Sequence, residues 1–333
     1  MYSLRVPYLH FLGDAPDTFA AKTALGVHHW CPENSVGQFR LPGCKADLGI
    51  KDLSIEEAFD SGARTLLIGV ANRGGKISEE WLPTLIRAMQ VGMDIASGLH
   101  QRLDNIAALK DASVKYGVSL LSVRQPPNDL VVGTGDKRPG KRLLTVGTDC
   151  SSGKMYTALA LYRAMTDSGM NASFRATGQT GIFIAGAGIA IDAVPSDFIS
   201  GAVEEISPRN DADHWDLIEG QGSLFHPSFA GVSLGLLHGA QADVLIICHE
   251  PNRKHMRGLP NYALPDIKAC IEMNEATAKL TNPDVKTVGI SLNTSSMTID
   301  EAKTYCASLS GSLNLPVTDP IRFGVRLLLE NLK

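Results

Sequence analysis

Short β-branched runs alternate with amphipathic stretches along the chain, and that alternation predicts strands and helices in turn. In the first part, strands are expected at 5–11, 65–71 and 119–124, with a further one from Asp94 leading to His100. Helices are expected at 54–61, 78–92 and 105–116. The helix from Ser78 has the fullest signature. Ser78 can cap it, Glu79 and Glu80 suit its positive end, and Trp81, Leu82, Leu85, Ile86 and Met89 form one apolar stripe that belongs in a core. After a polar stretch from Gly133 to Arg142, broken by glycine and proline, strands restart at 143–146, 172–176, 215–219, 244–248 and 285–292. The expected fold class is therefore α/β in two domains. A Rossmann-like domain covers 1–135, a linker 136–142, and a P-loop NTPase-like, doubly wound parallel-sheet domain 143–333.

The 333 residues carry a net charge of −4, and 44% are hydrophobic against 20% charged. Nothing in that balance invites nucleic acid or an anionic membrane as a partner. No run approaches the ~20 apolar residues of a membrane span, and the polar start does not read as a signal peptide. The six cysteines (Cys31, Cys44, Cys150, Cys248, Cys270, Cys306) show no C-x-x-C spacing. Reduced thiols in a cytoplasmic protein are expected, with no structural zinc. The neighbours His28, His29 and Cys31 read as a chance surface grouping.

The chemistry concentrates where the strand at 143–146 ends. Gly147-Thr148-Asp149-Cys150-Ser151-Ser152-Gly153-Lys154 follows a buried strand and opens a helix carrying Ala158, Leu159, Leu161, Ala164 and Met165 inward. Backbone N–H groups and a helix N-terminus there can cradle phosphate oxygens, and the lysine adds a point charge. Thr148 stands where the G-x-x-x-x-G-K-[ST] pattern has its first glycine, and Gly147 lies one residue earlier. Met155 replaces the hydroxyl residue that normally reaches Mg²⁺, and a thioether does not ligate a hard cation. Thr157 lies about 200° around the helix and is poorly placed to substitute. Such a loop suits gripping a diphosphate better than transferring a γ-phosphoryl group, and no metal is expected.

Other loops follow predicted strands. Glu219, in Glu219-Gly220-Gln221-Gly222, reads as a general base or as an acid capping its loop. Arg175 and Gln179, in the stretch 175–181, sit at the strand edge where cofactors bind in open α/β sheets. The cationic stretch 249–257 reads as a contact for cofactor phosphates or a substrate carboxylate, or as a solvated loop. In the first domain the loop 69–76, with Asn72, Arg73 and Lys76, looks like a second anion holder, and His100 ends a strand.

The form of the phosphate loop and the Glu219-Gly220-Gln221-Gly222 segment resemble dethiobiotin synthetase and its relatives. Together with Gly69 to Gly75, Ser97 to His100, Thr177 to Gly181 and Val194 to Phe198, they make the whole chain similar to one family. This is the DgcN-type D-glutamate N-acetyltransferase family, two-domain P-loop proteins long left without a function and often labelled epimerase/dehydratase. The resemblance implies acetyl transfer from acetyl-CoA to the amine of D-glutamate. It implies a diphosphate held by Gly147, Thr148, Asp149, Cys150, Ser151, Ser152, Gly153, Lys154 and Met155, with Arg175 and Gln179 beside it, and an acceptor held by Asn72, Arg73 and Lys76. Glu219, His226, His100 and Asp47 stand as candidates for deprotonating the amine, and a homo-oligomer is expected. The alternative is an ATP-dependent ligase or kinase of the dethiobiotin synthetase type.

Overall fold

The computed structural model describes residues 4–72 and 74–332. Two compact units emerge: one comprises Met1–Pro126 with Gly178–Ala190, the other Pro127–Thr177 with Ile191–Lys333. The division differs from the expected boundaries in two respects. The break falls at 126/127, and a short segment from the middle of the second half belongs with the first unit.

The first unit runs β1 (Tyr8–Gly13), α1 (Lys22–Trp30), β2 (Ser35–Arg40), α2 (Ile55–Asp60), β3 (Thr65–Ile68), α3 (Leu82–Gln90), β4 (Asp94–Ser97), α4 (Ala107–Tyr116) and β5 (Leu120–Ser122). Its strands pair in parallel in the order β2-β1-β3-β4-β5. The strand β2, which the sequence pattern missed, covers an edge with only two of its six residues buried, so its hydrophobic signal is weak. Alternation along β1 sends Leu9 and Phe11 into a core with Ile55, Trp81, Leu85 and Leu109 from α2, α3 and α4 and their approaches. Leu12 on the opposite face packs against Ala21 and Ala24 around α1. Capping decides where these helices start: Ser54 and Glu57 form a reciprocal capping box at α2, and Ser78 caps the 3₁₀ turn that leads into α3.

The second unit runs β6 (Lys141–Gly147), α5 (Lys154–Asp167) and β7 (Ala172–Arg175). The chain then gives α6 (Gln179–Ala185) to the first unit, where it packs near α1 and Tyr8 Oη meets Phe183 O at 3.4 Å. It continues with α7 (Ile199–Ile206), β8 (Trp215–Ile218), α8 (Ala230–Ala240), β9 (Val244–His249), a small hairpin of β10 (His255–Met256) and β11 (Leu259–Ala263), α9 (Ile267–Ala278), β12 (Lys286–Leu292), α10 (Ile299–Leu313), β13 (Val317–Thr318) and α11 (Arg326–Glu330). The large sheet is parallel in the order β13-β12-β9-β6-β8-β7. Every residue of β9 is buried, as a strand covered on both faces requires. Val244 and Ile246 face Leu161, Met165 and Leu328, while Ile247 faces Ile267, Cys270 and Val317. No described helix is long and apolar enough to cross a membrane.

The expected linker at 136–142 is docked instead. Arg138 and Arg142 are buried, and their guanidinium groups donate to the carbonyls of Ser207, Gly239, Pro208 and Arg138 itself. Five donors per guanidinium satisfy loop carbonyls that would otherwise be orphaned. Arginines that read as solvated in sequence thus tie the start of β6 to the second unit.

Candidate functional site

Both sheets place their chemistry at the carboxyl ends of their strands, next to the point where strand order reverses. In the second unit that point is β6, flanked by β8 and β9, and the phosphate loop follows β6 directly. Gly147 is required by close approach: a Cβ there would lie 2.6 Å from Cys248 O and 2.8 Å from Ser152 Oγ. The loop then turns into α5, whose first residue is Lys154.

Lys154 is buried, and its ammonium donates to Asp149 O at 2.7 Å and approaches Ser152 Oγ at 3.4 Å. Burial depresses its pKa, so the ammonium gains from an anion arriving in the loop. The Asp149 carboxylate is held by other partners. Oδ1 accepts from Cys150 N at 2.7 Å, and Oδ2 accepts from Arg253 Nη1 at 2.6 Å and from Arg257 N at 2.8 Å. Arg253 also donates to Cys150 O at 2.6 Å and Ser151 O at 3.2 Å, and it pairs with Glu250. A trans peptide points its N–H opposite its carbonyl. By holding those two carbonyls, Arg253 therefore turns the N–H groups of Ser151 and Ser152 the other way, as an anion cradle needs. It also holds Ser151 in the left-handed region, at φ +53°, which costs a non-glycine residue about 1–3 kcal/mol. His249, buried at the end of β9, completes the clamp with Nδ1 3.0 Å from Thr148 Oγ1. Burial is the main cause that lowers its pKa to about 4, so the ring is neutral at pH 7. The stretch 249–257 thus supports the loop rather than reaching past it, a role that sequence reasoning did not give it.

Glu219 is buried beyond β8. Its Oε2 accepts from Thr177 N at 3.0 Å, Gln221 Nε2 approaches Oε1 at 3.4 Å, and its backbone carbonyl accepts from Thr177 Oγ1 at 2.6 Å. Of the two sequence readings, this favours the acid that holds a neighbouring loop. His226, also buried, accepts from Ser228 N at Nδ1 (3.2 Å), which leaves the ring proton on Nε2, 3.3 Å from Arg257 O. Asp149, Cys150 and His226 hold their ligand atoms within 4.8 Å of one another, the one such trio among the described residues. The Asp149 carboxylate is already engaged by Arg253 and Arg257, and burial raises the pKa of the Cys150 thiol. That donor set is poorly suited to a cation.

Arg175 and Gln179, both expected beside the cofactor, have other partners in the structure. Arg175 ends β7 and pairs with buried Asp216 on β8, Nε to Oδ1 at 2.7 Å, so its guanidinium locks two strands together. Gln179 belongs to the first unit and packs on Gly98, after β4. In each case the glycine and hydroxyl pattern suggests a cofactor contact, and the partners the side chains have come from a neighbouring strand or from the first unit.

In the first unit the reversal lies between β1 and β3, and the loop after β3 carries Asn72 and Lys76. Arg73 lies outside the described residues. Asn72 Nδ2 donates to Lys76 O at 2.7 Å, and Lys76 is exposed. The loop is tied to the one after β4: Gln101 N donates to Gly75 O and Ile77 N to Gln101 Oε1, both at 2.9 Å. His100 sits there with Nε2 2.6 Å from Arg124 Nη1, beyond β5. Asp47 is remote in role. Its Oδ1 accepts from Gln38 Nε2 at 2.8 Å and Gly49 N at 2.7 Å, which organises the loop after β2. These two bonds, Gln38 first, lower its pKa. An acid so stabilised in its charged form is a weak base.

The P-loop domain model of the DUF1611 family matches residues 130–329, and its Rossmann-like N-terminal domain model matches 39–126. Two curated relatives, from Tritonibacter scottomollicae and a Pseudoalteromonas species, are named D-glutamate N-acetyltransferase. Each is 51% identical over 329 residues, covering 99% of this chain and 99% of its own. A DUF1611 family protein of known crystal structure, from Anabaena variabilis, superimposes with a TM-score of 0.88 at 33% identity, covering 98% of this chain and 99% of that one.

Proposed function

The chain belongs to the DUF1611 family, and from that premise we propose that it transfers the acetyl group of acetyl-CoA to the amine of D-glutamate. The observation that carries this reading is the 51% identity, across 99% of both chains, to two D-glutamate N-acetyltransferases. The phosphate loop supports it. Coenzyme A offers a diphosphate, which suits the inward N–H groups and the buried Lys154 ammonium. Met155 withholds the hydroxyl that a Mg²⁺-dependent phosphoryl transfer would use. No disulfide joins the six cysteines among the described residues, which fits the expected reducing, cytoplasmic setting.

In the reaction the acceptor's ammonium loses a proton, its nitrogen attacks the thioester carbonyl, and the coenzyme leaves as a thiolate that takes up a proton. The pantetheine arm, roughly four residues' length of chain, spans on the order of 13 Å when extended. A group beside the diphosphate is therefore far from the reacting carbonyl. His226, beside Asp149 and Cys150 of the phosphate loop, and Glu219, engaged by Thr177 and Gln221, are assigned supporting roles. We assign the base to His100 of the first unit, whose Nε2 lone pair faces Arg124. Lys76 and Arg124 are the cations for the acceptor's carboxylates.

The test is release of free thiol from acetyl-CoA in the presence of D-glutamate, with the acetylated product identified by mass. Thiol release without added metal is expected. Silence with acetyl-CoA, combined with Mg²⁺-dependent ATP consumption, would return the protein to the ligase class.

A further inference from the structure

A fully buried amide oxygen that accepts no hydrogen bond costs about 1–3 kcal/mol, and the first unit keeps two of them at one edge of its sheet. Gln179 lies flat on the chain beyond β4, so close that a Cβ at Gly98 would come 2.1 Å from its Oε1 and 2.6 Å from its Cβ. That Oε1 is shielded from solvent and accepts no hydrogen bond among the described residues. Asn72, beyond β3, has its orientation fixed because Nδ2 donates to Lys76 O. Its Oδ1 is therefore turned the other way, and it too is buried and accepts no bond among the described residues.

The two oxygens border one pair of loops. Strands β3 and β4 are adjacent and in register, Ile68 beside Ser97. The loops that follow them are joined through Gln101 and Gly75, and Gly75 packs against His100. We propose that the amide oxygens of Gln179 and Asn72 form a subsite for the α-ammonium group of an amino acid, resting on the acetyl-transfer reading for the identity of that amino acid. An ammonium carries three donors and no acceptor, so it is the complement of buried amide oxygens that accept no bond. The same loops carry Lys76 and His100, and Arg124 beyond β5 reaches His100, which suits the carboxylate end of a zwitterion. Held there, the ammonium would lie on the loop of His100, the group assigned to deprotonate it.

The experiment compares D-glutamate with glutarate, which has the same two carboxylates and no ammonium, by calorimetry on the full chain. Wild type should bind D-glutamate more tightly than glutarate. Gln179→Leu should weaken D-glutamate binding by roughly 10–100-fold, the range for a hydrogen bond to a charged group, and leave glutarate and CoA binding within twofold. Gln179→Glu keeps an acceptor at the site and should hold D-glutamate at least as tightly as wild type. Equal wild-type affinity for the two diacids overturns the subsite, as does a Gln179→Leu protein that binds D-glutamate normally. Parallel loss of both diacids in Gln179→Leu makes Gln179 a packing residue and also overturns it. A wild-type protein that binds D-glutamate preferentially but never acetylates it refutes acetyl transfer and leaves the subsite standing.

Discussion

Arg253 is the side chain on which the shape of the phosphate loop turns, and replacing it by leucine should unmake the cradle without touching the ligand. Its guanidinium, 15% exposed, faces an Asp149 carboxylate that is 1% exposed. Breaking a buried pair by removing one partner costs about 3–5 kcal/mol, because the remaining charge stays desolvated. Asp149 keeps two backbone donors, Cys150 N and Arg257 N, and Arg253 retains some contact with solvent, so the lower end, about 3 kcal/mol, applies. For a unit of this size that is a fall in melting temperature of roughly 6–12 °C. CoA affinity should drop as well, since the carbonyls of Cys150 and Ser151 lose the donor that fixes their peptides. Thermal unfolding with and without CoA reads both effects. In the double variant Asp149→Asn/Arg253→Leu, the buried charge is gone and part of the stability should return, but not the affinity. If Arg253→Leu melts with wild type and binds CoA as wild type does, the guanidinium does not shape the loop.

Lys154→Met removes the cation while preserving bulk. CoA binding should weaken by about 1.5–3 kcal/mol, read by calorimetry, whereas unchanged affinity would place the diphosphate elsewhere. His100→Asn should lower kcat by about 10²–10⁴, while Glu219→Gln should stay within about tenfold of wild type, and the reverse ranking would restore Glu219 as the base. Stability should fall as pH drops from about 6.5 to about 4. His249 takes up its proton at about 4 when folded but near 6.5 when unfolded, so the unfolded state binds more protons across that window. His249→Asn should flatten that part of a pH–denaturation profile, and an unaltered slope would remove His249 as its source. EDTA should leave acetyl transfer intact, because Met155 presents no hydroxyl for a metal, and a strict Mg²⁺ requirement measured in the thiol assay would contradict this.

Local signals were legible in the sequence, and contacts between distant residues were not. The phosphate loop reads directly, because strand, glycines, lysine and helix follow one another within a dozen residues. The clamp on it does not, since Arg253 meets Asp149 across 104 positions and looks in sequence like any solvated cation. Arg138 and Arg142 misled for the same reason: the carbonyls that bury them come largely from residues 207–208 and 239–240. Gln179 reads as a cofactor neighbour because Thr177-Gly178-Gln179 follows a strand of the second unit, and nothing local reveals that the chain changes units at 177/178. Glu219 drew attention as an acid at a strand end, but whether such an acid is available to a substrate depends on Thr177 and Gln221.

The return of residues 178–190 to the first unit sets an order of events during synthesis. Pro126 completes the five-stranded sheet, but the face carrying Tyr8 and His10 still lacks α6, which arrives only when Ala190 has left the ribosome. The 64 intervening residues, 127–190, take roughly 3–13 s to make at about 5–20 residues per second. Throughout that interval a nearly finished sheet waits with one flank uncovered. A fragment ending at Pro126 would keep that flank bare permanently. The two halves are thus linked in time, and neither can be cut away at a single peptide bond and remain whole.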